Sequence, residues 1–543
     1  MNSGILIISK DSNYLHDILK IEGITSDTAV DFTESIKNYN LILINNFQFD
    51  NITIKKFDLL PKKQKTFIII NPDTQIEKKL NLGLKKHEEK TKITINDYLC
   101  QIYNAKLYSP KNVVILNKSA NKEPLIFETS YKESKIIIFA FDLNKTIYAL
   151  NQGKDAVPDH GGVYRASSTS IIERGENLFP QSDILRRHIV KIIEHNLNFP
   201  LPKIWYIPNK KLSGAIFSHD SDEAGDKDIK QINELNKKNK IRGTTFMLIK
   251  TGTKECWQEF KKNNIDLQLH QAYFYIPNTP KKFKSLSAWL ISNPISLKFQ
   301  EFLLYAEKSI LSLSAKAKIT GVRNHGLFWH KKTSTPLWMH RAKIKFDSTL
   351  GGVFDYGYLH GTGLPYFLRL PKNYSSFDVL EFPLHIMDYM SFKFKNNYQE
   401  LAKKFILNAK KFNSIITLDF HHKFLITEKI SKWYIEIISQ LKSEDFFIQD
   451  MAYYSDFWRK RIATEITELN FEKNKLAYRL SSKYQTSGLT QILPLRFQDK
   501  KLNSVKSGGK KLKFEKVKIS GKFYALFEFS ELNKEIVAEF SEL

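Results

Sequence analysis

Acidic and imidazole side chains stand directly after an apolar run near the middle of the chain. The segment 215–217 (AIF) predicts a buried strand, and it is followed by His219, Asp220 and Asp222 in the sequence SHDSDE. Unpaired charges at the end of a buried strand cost free energy, so these residues need partners or a ligand. An aspartate can cap a helix, but one cap needs only one side chain. The number of titratable groups therefore indicates a functional site.

Polar side chains also end other predicted strands of this region. They are His270 after IDLQL, Arg323 and His325 in GVRNH, Asp347 in IKFD, and His421 and His422 in TLDFHH. The carboxyl ends of the strands of a β/α barrel converge on the active site, so we expect these side chains at one barrel mouth. Aspartate oxygen and histidine nitrogen are zinc ligands. The sequence therefore predicts a divalent-metal site, with zinc favoured.

Short apolar segments and helical patterns position these residues. The predicted strands of the middle region are 214–220, 244–250, 265–270, 319–325, 344–350 and 415–421, and helical stretches such as 228–240 and 295–313 lie between them. Six strands over about 250 residues suit a β/α barrel.

The two flanking regions have different patterns. In residues 1–200, β-branched runs alternate with helical stretches, which predicts an α/β layered domain. From about residue 465 onward, short alternating segments with glycine turns predict a small all-β domain. We therefore expect domains at 1–200, 205–462 and 465–543.

Five segments of the middle region resemble the motifs of the polysaccharide deacetylase superfamily. They are FSHDSDEAG, NNIDLQLH, GVRNHG, FDSTLGG and TLDFHH, and the resemblance covers roughly residues 205–460. The superfamily consists of carbohydrate esterases on a distorted (β/α)7 barrel. The resemblance implies hydrolysis of N-acetyl groups on an amino-sugar glycan or glycan precursor, with a divalent metal as cofactor.

The resemblance also implies roles for individual residues. Asp220 is expected to be the general base, and Arg323 to hold and orient it. Asp222 and His270 are expected to bind the metal. His421 is expected to protonate the leaving amine, with Asp347 as a candidate orienting partner. Since His421 and His422 are adjacent and face opposite sides of a strand, only one can point into the barrel, and the motif favours His421.

One departure from the motifs concerns the metal site. The second histidine of the superfamily's H-x-x-x-H pair falls on Phe274. Either His325 or His219 can supply the missing nitrogen. The alternatives are a catalytically degraded protein that binds glycans or acts as a scaffold, and a glycoside hydrolase, which needs paired carboxylates about 5–10 Å apart.

Further residues are candidates for substrate binding. The segment HGTGLPY, from His360 to Tyr366, predicts a loop over the barrel mouth. His385 and Asp388 in FPLHIMDY form a polar pair in an apolar setting, which can either line the site or have a structural role. We expect His360, Tyr366 and His385 to line the substrate site.

The N-terminal region has a resemblance of its own. The segment SKIIIFAFDLNKTIYALNQGK resembles the end of flavodoxin-like, glutamine amidotransferase-like domains fused to sugar-active enzymes. It contains no G-x-C-x-G nucleophile turn, and Cys100 lies outside any such turn. We therefore expect a non-catalytic domain that serves packing, oligomerisation as a homo-oligomer, or substrate access.

Composition restricts the compartment and the partners. The chain of 543 residues has a net charge of +26, but its lysines are spread along the sequence, and no nucleic-acid motif accompanies them. We therefore expect a carbohydrate partner and no nucleic acid. There is no apolar run of about 18 residues and no signal peptide, and the two cysteines form no metal pair. These features favour a cytoplasmic protein without a membrane span.

Overall fold

The computed structural model describes residues 3–10, 14–32, 34–59, 65–159, 163–173, 175–272, 294–485, 487–529 and 532–542. The chain forms two compact units by its internal contacts. The first comprises Met1–Ile147, Gln181–Lys210 and Trp458–Leu543, and the second comprises Tyr148–Pro180 and Lys211–Phe457. The domain boundaries expected from the sequence stay a prediction.

The strands occur in three stretches of the chain. The first stretch contains β1 (Ile5–Ile8), β2 (Asp27–Ala29), β3 (Leu41–Asn45), β4 (Thr66–Ile70), β5 (Leu84–Ile95), β6 (Tyr98–Tyr108), β7 (Val114–Lys118), β8 (Pro124–Tyr131), β9 (Ser134–Phe139) and β10 (Lys203–Ile204). The second contains β11 (Gly214–Asp220), β12 (Gly243–Met247), β13 (Asp266–Gln271), β14 (Gly321–Asn324), β15 (Phe346–Asp347), β16 (Tyr366–Arg369), β17 (Ser376–Glu381), β18 (Leu384–Met387), β19 (Ile415–Asp419) and β20 (Phe447–Ile448). The third contains β21 (Glu465–Glu472), β22 (Lys475–Ser481), β23 (Thr490–Pro494), β24 (Arg496–Phe497), β25 (Lys500–Ser507), β26 (Lys510–Leu512), β27 (Glu515–Ile519), β28 (Lys522–Glu528) and β29 (Glu535–Glu542).

The α-helices lie between strands of the first two stretches and after β20. They are α1 (Tyr14–Ile21), α2 (Asn51–Asp58), α3 (Thr74–Lys79), α4 (Leu143–Gln152), α5 (Gln181–Asn196), α6 (Asp226–Lys238), α7 (Lys254–Lys262), α8 (Pro294–Ala315), α9 (Ser334–Arg341), α10 (Met390–Phe394), α11 (Tyr398–Lys411), α12 (His422–Leu425), α13 (Glu428–Ser443) and α14 (Met451–Ile462). Within the described ranges, none of them is long and apolar enough to cross a membrane.

The second unit is built on one curled sheet. Its strand order is β16-β17-β15-β14-β13-β12-β11-β19-β18, with β20 beside β11. Its strand pairs are parallel except for β16 with β17. After β15, Gly351 forms a parallel bridge with Leu384 at the start of β18. The carboxyl ends of β11, β13, β14 and β19 therefore lie at the same edge, which is the edge where the candidate residues stand.

Packing explains the long apolar runs of the central strands. Every residue of β11 and β19 is buried, as expected for parallel strands with both faces covered. Phe217, Ile416 and Leu418 share a core with Phe405 of α11 and Trp433 of α13. These two helices cover the strands that carry the candidate acid and base.

One glycine sets the spacing of two site-bearing strands. A Cβ at Gly321, in β14, would lie 2.0 Å from the ring of Phe346 in β15. Only glycine allows this packing, so a side chain at position 321 would push β14 and its polar end away from β15.

The first unit contains three larger sheets and a hairpin. One sheet has the order β2-β1-β3-β4-β9-β8-β7, parallel as far as β9 and antiparallel beyond it. Two antiparallel sheets have the orders β10-β23-β28-β27 and β21-β22-β29-β25-β24, with β26 beside β25. Strands β5 and β6 form the hairpin. The mixed α/β class is confirmed, whereas the likeness of the N-terminal region to amidotransferase domains stays a prediction.

Candidate metal centre and active site

The cluster at the edge of the curled sheet begins with Asp222 and His270. His270 lies in β13, and Asp222 stands two residues beyond the end of β11. The Nε2 atom of His270 lies 3.1 Å from Oδ1 of Asp222. The other ring nitrogen, Nδ1, lies 2.9 Å from the carbonyl oxygen of Arg323. Since a carbonyl can only accept, Nδ1 carries a hydrogen, and Nε2 is the ring nitrogen that faces the carboxylate.

A third donor joins this pair. Nε2 of His325 lies 3.3 Å from Oδ2 of Asp222, and its ring centroid lies 5.3 Å from that of His270. His325 opens a one-turn helix, His325–Leu327, in which Gly326 and Leu327 have positive φ angles of 62° and 53°. Positive φ at a leucine is strained, and such strain accompanies functional sites. The tight turn after β14 is what directs His325 toward Asp222.

This arrangement fits a divalent cation. The ligand atoms of Asp222, His270 and His325 lie within 4.8 Å of one another. Oδ1 of Asp222 and Nε2 of His270 are buried and have no hydrogen-bond partner within the described parts of the chain. Two facing acceptors at this distance repel each other unless a proton or a cation lies between them. One carboxylate and two imidazoles are a donor set of the catalytic zinc type, in which the fourth position is left to water or substrate.

The candidate base lies beside this group. Oδ1 of Asp220 accepts a hydrogen bond of 2.9 Å from Arg323, while Oδ2 lies 3.6 Å from Nε2 of His270. Burial disfavours the charge on Asp220, but Arg323 and then His270 and His421 stabilise it, and the net effect lowers the pKa of Asp220. Asp220 is thus an ionised carboxylate, as a proton acceptor must be.

The candidate acid is His421, directly after β19. Asp388 binds it through both carboxylate oxygens: Oδ1 lies 2.9 Å from Nδ1, and Oδ2 accepts from the backbone N–H at 2.6 Å. Nε2 faces the cluster, 3.7 Å from Oδ2 of Asp222. Burial alone would lower the pKa of His421, but the carboxylates of Asp388 and Asp419 raise it to about 10. The imidazole is therefore protonated at neutral pH, with Nε2–H directed at the site.

Arg323 connects the base to one further carboxylate. Its NH1 donates to Asp220 and also, at 2.6 Å, to Oδ1 of Asp419. Ser348 fixes the other side of the guanidinium through its carbonyl and its hydroxyl, both at 2.9 Å. Burial raises the pKa of Asp419 to about 7; Arg323 opposes this rise, and the charge of Asp220 adds to it. Asp419 therefore belongs to the same charged network as the base.

The structure places His219 elsewhere. Its Nδ1 lies 3.2 Å from the carbonyl oxygen of Phe420, and its Nε2 is bonded to Asn236 at 3.0 Å and lies 3.3 Å from the hydroxyl of Tyr434. Successive side chains of a strand point to opposite faces, so His219 faces away from Asp220. Of the two histidines offered for the missing nitrogen, His325 stands at the cluster and His219 does not.

Asp347 does not contact His421. It accepts a bond of 2.6 Å from Thr349 and lies opposite Glu381 in the register of β15 and β17. Burial raises the pKa of Asp347 to about 6, and burial and Asp347 together raise that of Glu381 well above its usual range. The two carboxyl groups thus share a proton in the core. Asp388 holds the orienting position that the sequence reasoning gave to Asp347.

The three residues expected to bind substrate are buried. His360 and Tyr366 both bind the carbonyl oxygen of Asn151, at 2.9 and 2.6 Å. His385 bonds to the carbonyl of Thr362 at 3.1 Å and accepts from a backbone N–H of β19. These contacts hold the loop in place, whereas direct contact of the three side chains with substrate stays a prediction.

Sequence reasoning overlooked one carboxylate of the site, Asp419, and it gave Asp388 no role in orienting the acid. It also placed one residue, Phe274, where the structure gives no description. Asp419 shares a strand face with His421, since the two are separated by one residue, and this period-2 spacing could have revealed it. Asp388 follows the apolar run LHIM, the same signal that identified the other strand ends. Phe274 lies outside the described residues.

Comparisons with known proteins give fold likenesses only. No protein-family model matches the sequence, and a search of curated proteins found no match either. Among solved structures, the chain is similar to a protein assigned to the polysaccharide deacetylases from Mycobacterium smegmatis, with 13% identity, a TM-score of 0.35, and coverage of 49% of this chain and 96% of that one.

Two further solved structures are similar over the same share of the chain. The peptidoglycan deacetylase PdaC from Bacillus subtilis is 13% identical, with a TM-score of 0.27 and coverage of 47% of this chain and 96% of that one. A mutant of BA3943, described as a CE4 family pseudoenzyme, is 11% identical, with a TM-score of 0.27 and coverage of 48% and 73%.

Proposed function

We propose that this chain hydrolyses N-acetyl groups on an amino-sugar glycan or glycan precursor. The supporting observation is the convergence of three chemically distinct groups at one sheet edge: a cation-binding set, an ionised carboxylate on an arginine, and a protonated imidazole on a carboxylate. Amide hydrolysis needs each of them, because a water must lose a proton and the leaving nitrogen must gain one. The sequence resemblance to deacetylases independently supports the same reaction.

The residues divide the reaction between them. Asp222, His270 and His325 would hold the cation, with zinc favoured by the donor set. A divalent cation there would polarise the acetyl carbonyl and lower the pKa of a water. Asp220, fixed by Arg323, takes a proton from the water that attacks the carbonyl carbon.

His421 completes the reaction as acid. As the carbon–nitrogen bond breaks, Nε2–H of His421 gives its proton to the amine of the sugar. Asp388 keeps the opposite ring nitrogen protonated and fixes the ring, so the proton leaves from the nitrogen that faces the site. The products are acetate and the free amino sugar, and the overall balance consumes one water.

Acetate release from N-acetylated oligosaccharides tests the proposal. We expect the zinc-loaded protein to release acetate, and Asp220→Asn to abolish release while zinc still binds stoichiometrically. A matched control is Asp378→Asn, which removes a half-exposed carboxylate paired with Lys345 in the same unit and should leave the rate unchanged. Zinc binding without acetate release from any N-acetylated sugar would reject the enzyme and favour a non-catalytic glycan-binding protein.

A further inference from the structure

Four aromatic side chains form a patch beside His421. Tyr389 lies at its centre: its ring centroid is 4.8 Å from that of His421, 5.8 Å from Phe354, 5.6 Å from Phe392 and 5.3 Å from Phe424. Phe392 and Phe424 also contact each other, at 5.4 Å. We name Phe354, Tyr389, Phe392 and Phe424 the aromatic platform.

The platform is open to solvent on one side. Phe354 is 47% exposed and Phe392 is 53% exposed, while Tyr389 and Phe424 are half-buried beneath them. Large exposed aromatic groups that adjoin one another mark a surface that binds something. Phe354 packs edge to face against Tyr389, and Phe392 packs edge to face against Phe424. These contacts restrain the two exposed rings, so little conformational entropy is lost when a ligand covers them.

The position of His421 indicates which part of the substrate reaches the platform. In the proposed reaction, His421 protonates the sugar nitrogen, whereas the acetyl carbonyl points toward Asp222, His270 and His325. His421 faces Asp222 with Nε2 and contacts Tyr389 with its ring. The sugar that carries the leaving nitrogen therefore lies on the His421 side, which is the side where Tyr389 and the rest of the platform stand.

The chemistry of the platform suits sugar rings. The C–H faces of a pyranose are apolar and can cover an aromatic face, while the hydroxyl groups around the ring need polar partners. Lys423 lies 5.2 Å from the ring centroid of Phe424 and pairs with Glu223 at 3.5 Å, and Lys393 pairs with Asp355 next to Phe354. An apolar floor with a few polar groups at its rim is the usual construction of a small-molecule site.

We propose that the aromatic platform binds the sugar residues next to the N-acetylated one, so the substrate is an oligosaccharide or polysaccharide rather than a monosaccharide. The direction of the chain rests on the proposed function, whereas the binding surface itself rests on the platform's geometry. Contacts with neighbouring sugars can be used to position the reacting amide, so a short substrate loses turnover as well as affinity.

Calorimetry with zinc-free protein tests binding independently of activity. The probes are N-acetylglucosamine and its linear tetramer. We expect the tetramer to bind more tightly than the monosaccharide, and Phe354→Ala and Phe392→Ala each to weaken tetramer binding about 3–10-fold, with monosaccharide binding unchanged. Phe523→Ala is the matched control, because Phe523 is equally exposed on β28 and does not belong to the platform.

Three outcomes of the calorimetry would overturn the platform. They are equal affinity of the wild-type protein for both probes, tetramer binding that is unchanged in both variants, and an equal loss in Phe523→Ala. Acetate release, measured with zinc on the same two probes, separates the two proposals. Platform-dependent binding without acetate release rejects the enzyme and keeps the platform; acetate release with no preference for the tetramer keeps the enzyme and rejects the platform.

Discussion

Removal of His325 is the sharpest test of the metal centre. In the structure His325 supplies one of three donors, together with Asp222 and His270. The binding free energy of a structural zinc site is about 10–16 kcal/mol, so one donor of three accounts for roughly 3–5 kcal/mol. Each 1.4 kcal/mol is about a factor of ten, which gives a loss of about 10²–10⁴-fold in zinc affinity for His325→Ala.

The exposure of His325 favours the lower end of that range. Its side chain is 34% exposed, whereas that of His270 is 1% exposed. Water can therefore take the position of the imidazole in the variant and recover part of the lost free energy. We expect a loss of about 100-fold for His325→Ala. His270→Ala should lose more, because its donor faces a buried carboxylate oxygen that water reaches less easily.

Competition with a fluorescent zinc chelator at neutral pH measures these affinities. His340→Ala is the matched control, since His340 is an exposed histidine of α9 in the same unit. Its affinity should equal that of the wild-type protein. An affinity of His325→Ala within about threefold of wild type would refute the assignment, as would an equal loss in His219→Gln.

Two further predictions concern the carboxyl groups of the second unit. Asp388→Asn should reduce acetate release about 10²–10⁴-fold while zinc affinity stays within about threefold of wild type, because Asp388 orients and charges the acid without binding the cation; equal activity would contradict this. Glu381→Gln tests the proton shared with Asp347, since burial raises the pKa of Glu381 in the folded chain. A carboxyl group with a raised folded pKa binds more protons when folded, so stability is lost as the pH rises from the unfolded value through the folded one. Calorimetric melting temperatures should therefore agree at about pH 5, whereas at about pH 8 the variant should melt about 2–4 °C higher. The control is Glu301→Gln, which loses a surface pair with Arg341 and should show no pH-dependent change in melting temperature. A shift in the melting temperature of Glu381→Gln that is the same at both pH values would refute the shared proton.

The strands that carry the site were largely readable from the sequence. The strand expected at 214–220 is β11 residue for residue, and the expectation at 415–421 contains β19. Parallel strands covered on both faces are continuous apolar runs, and a polar residue at the end of such a run stands out. Asp220, His270, Arg323 and His421 were all found by this one signal.

The short strands and the exposed strands could not be predicted from the sequence. The strand expected at 344–350 is reduced to Phe346–Asp347, and β16, β17 and β18 were missed. The hairpin of β5 and β6 was missed as well, because much of β5 is exposed and it carries lysine and glutamate residues rather than an apolar run. Such strands are stabilised by pairing with neighbours, which a local pattern does not record.

The sequence also did not show which of two similar side chains contacts a given site residue. Asp347 and Asp388 are both acidic residues at strand ends, yet only Asp388 reaches His421, because β18 lies next to β19 and β15 does not. The sequence also could not decide between the two histidines that were offered in place of the missing histidine of the H-x-x-x-H pair. His219 and His325 have the same chemistry, but the face of β11 turns one into the core and the turn after β14 directs the other toward Asp222.

The kinds of groups at this candidate site could be predicted from the sequence, because residue type and strand-end position are local properties. The sequence also determined the central strands, because burial on both faces leaves a continuous apolar run. The order and register of the strands established which histidine joins the candidate metal set, which aspartate contacts the candidate acid, and that four aromatic rings meet beside it. These are contacts between residues distant in sequence, and they depend on the order and register of strands in the sheet.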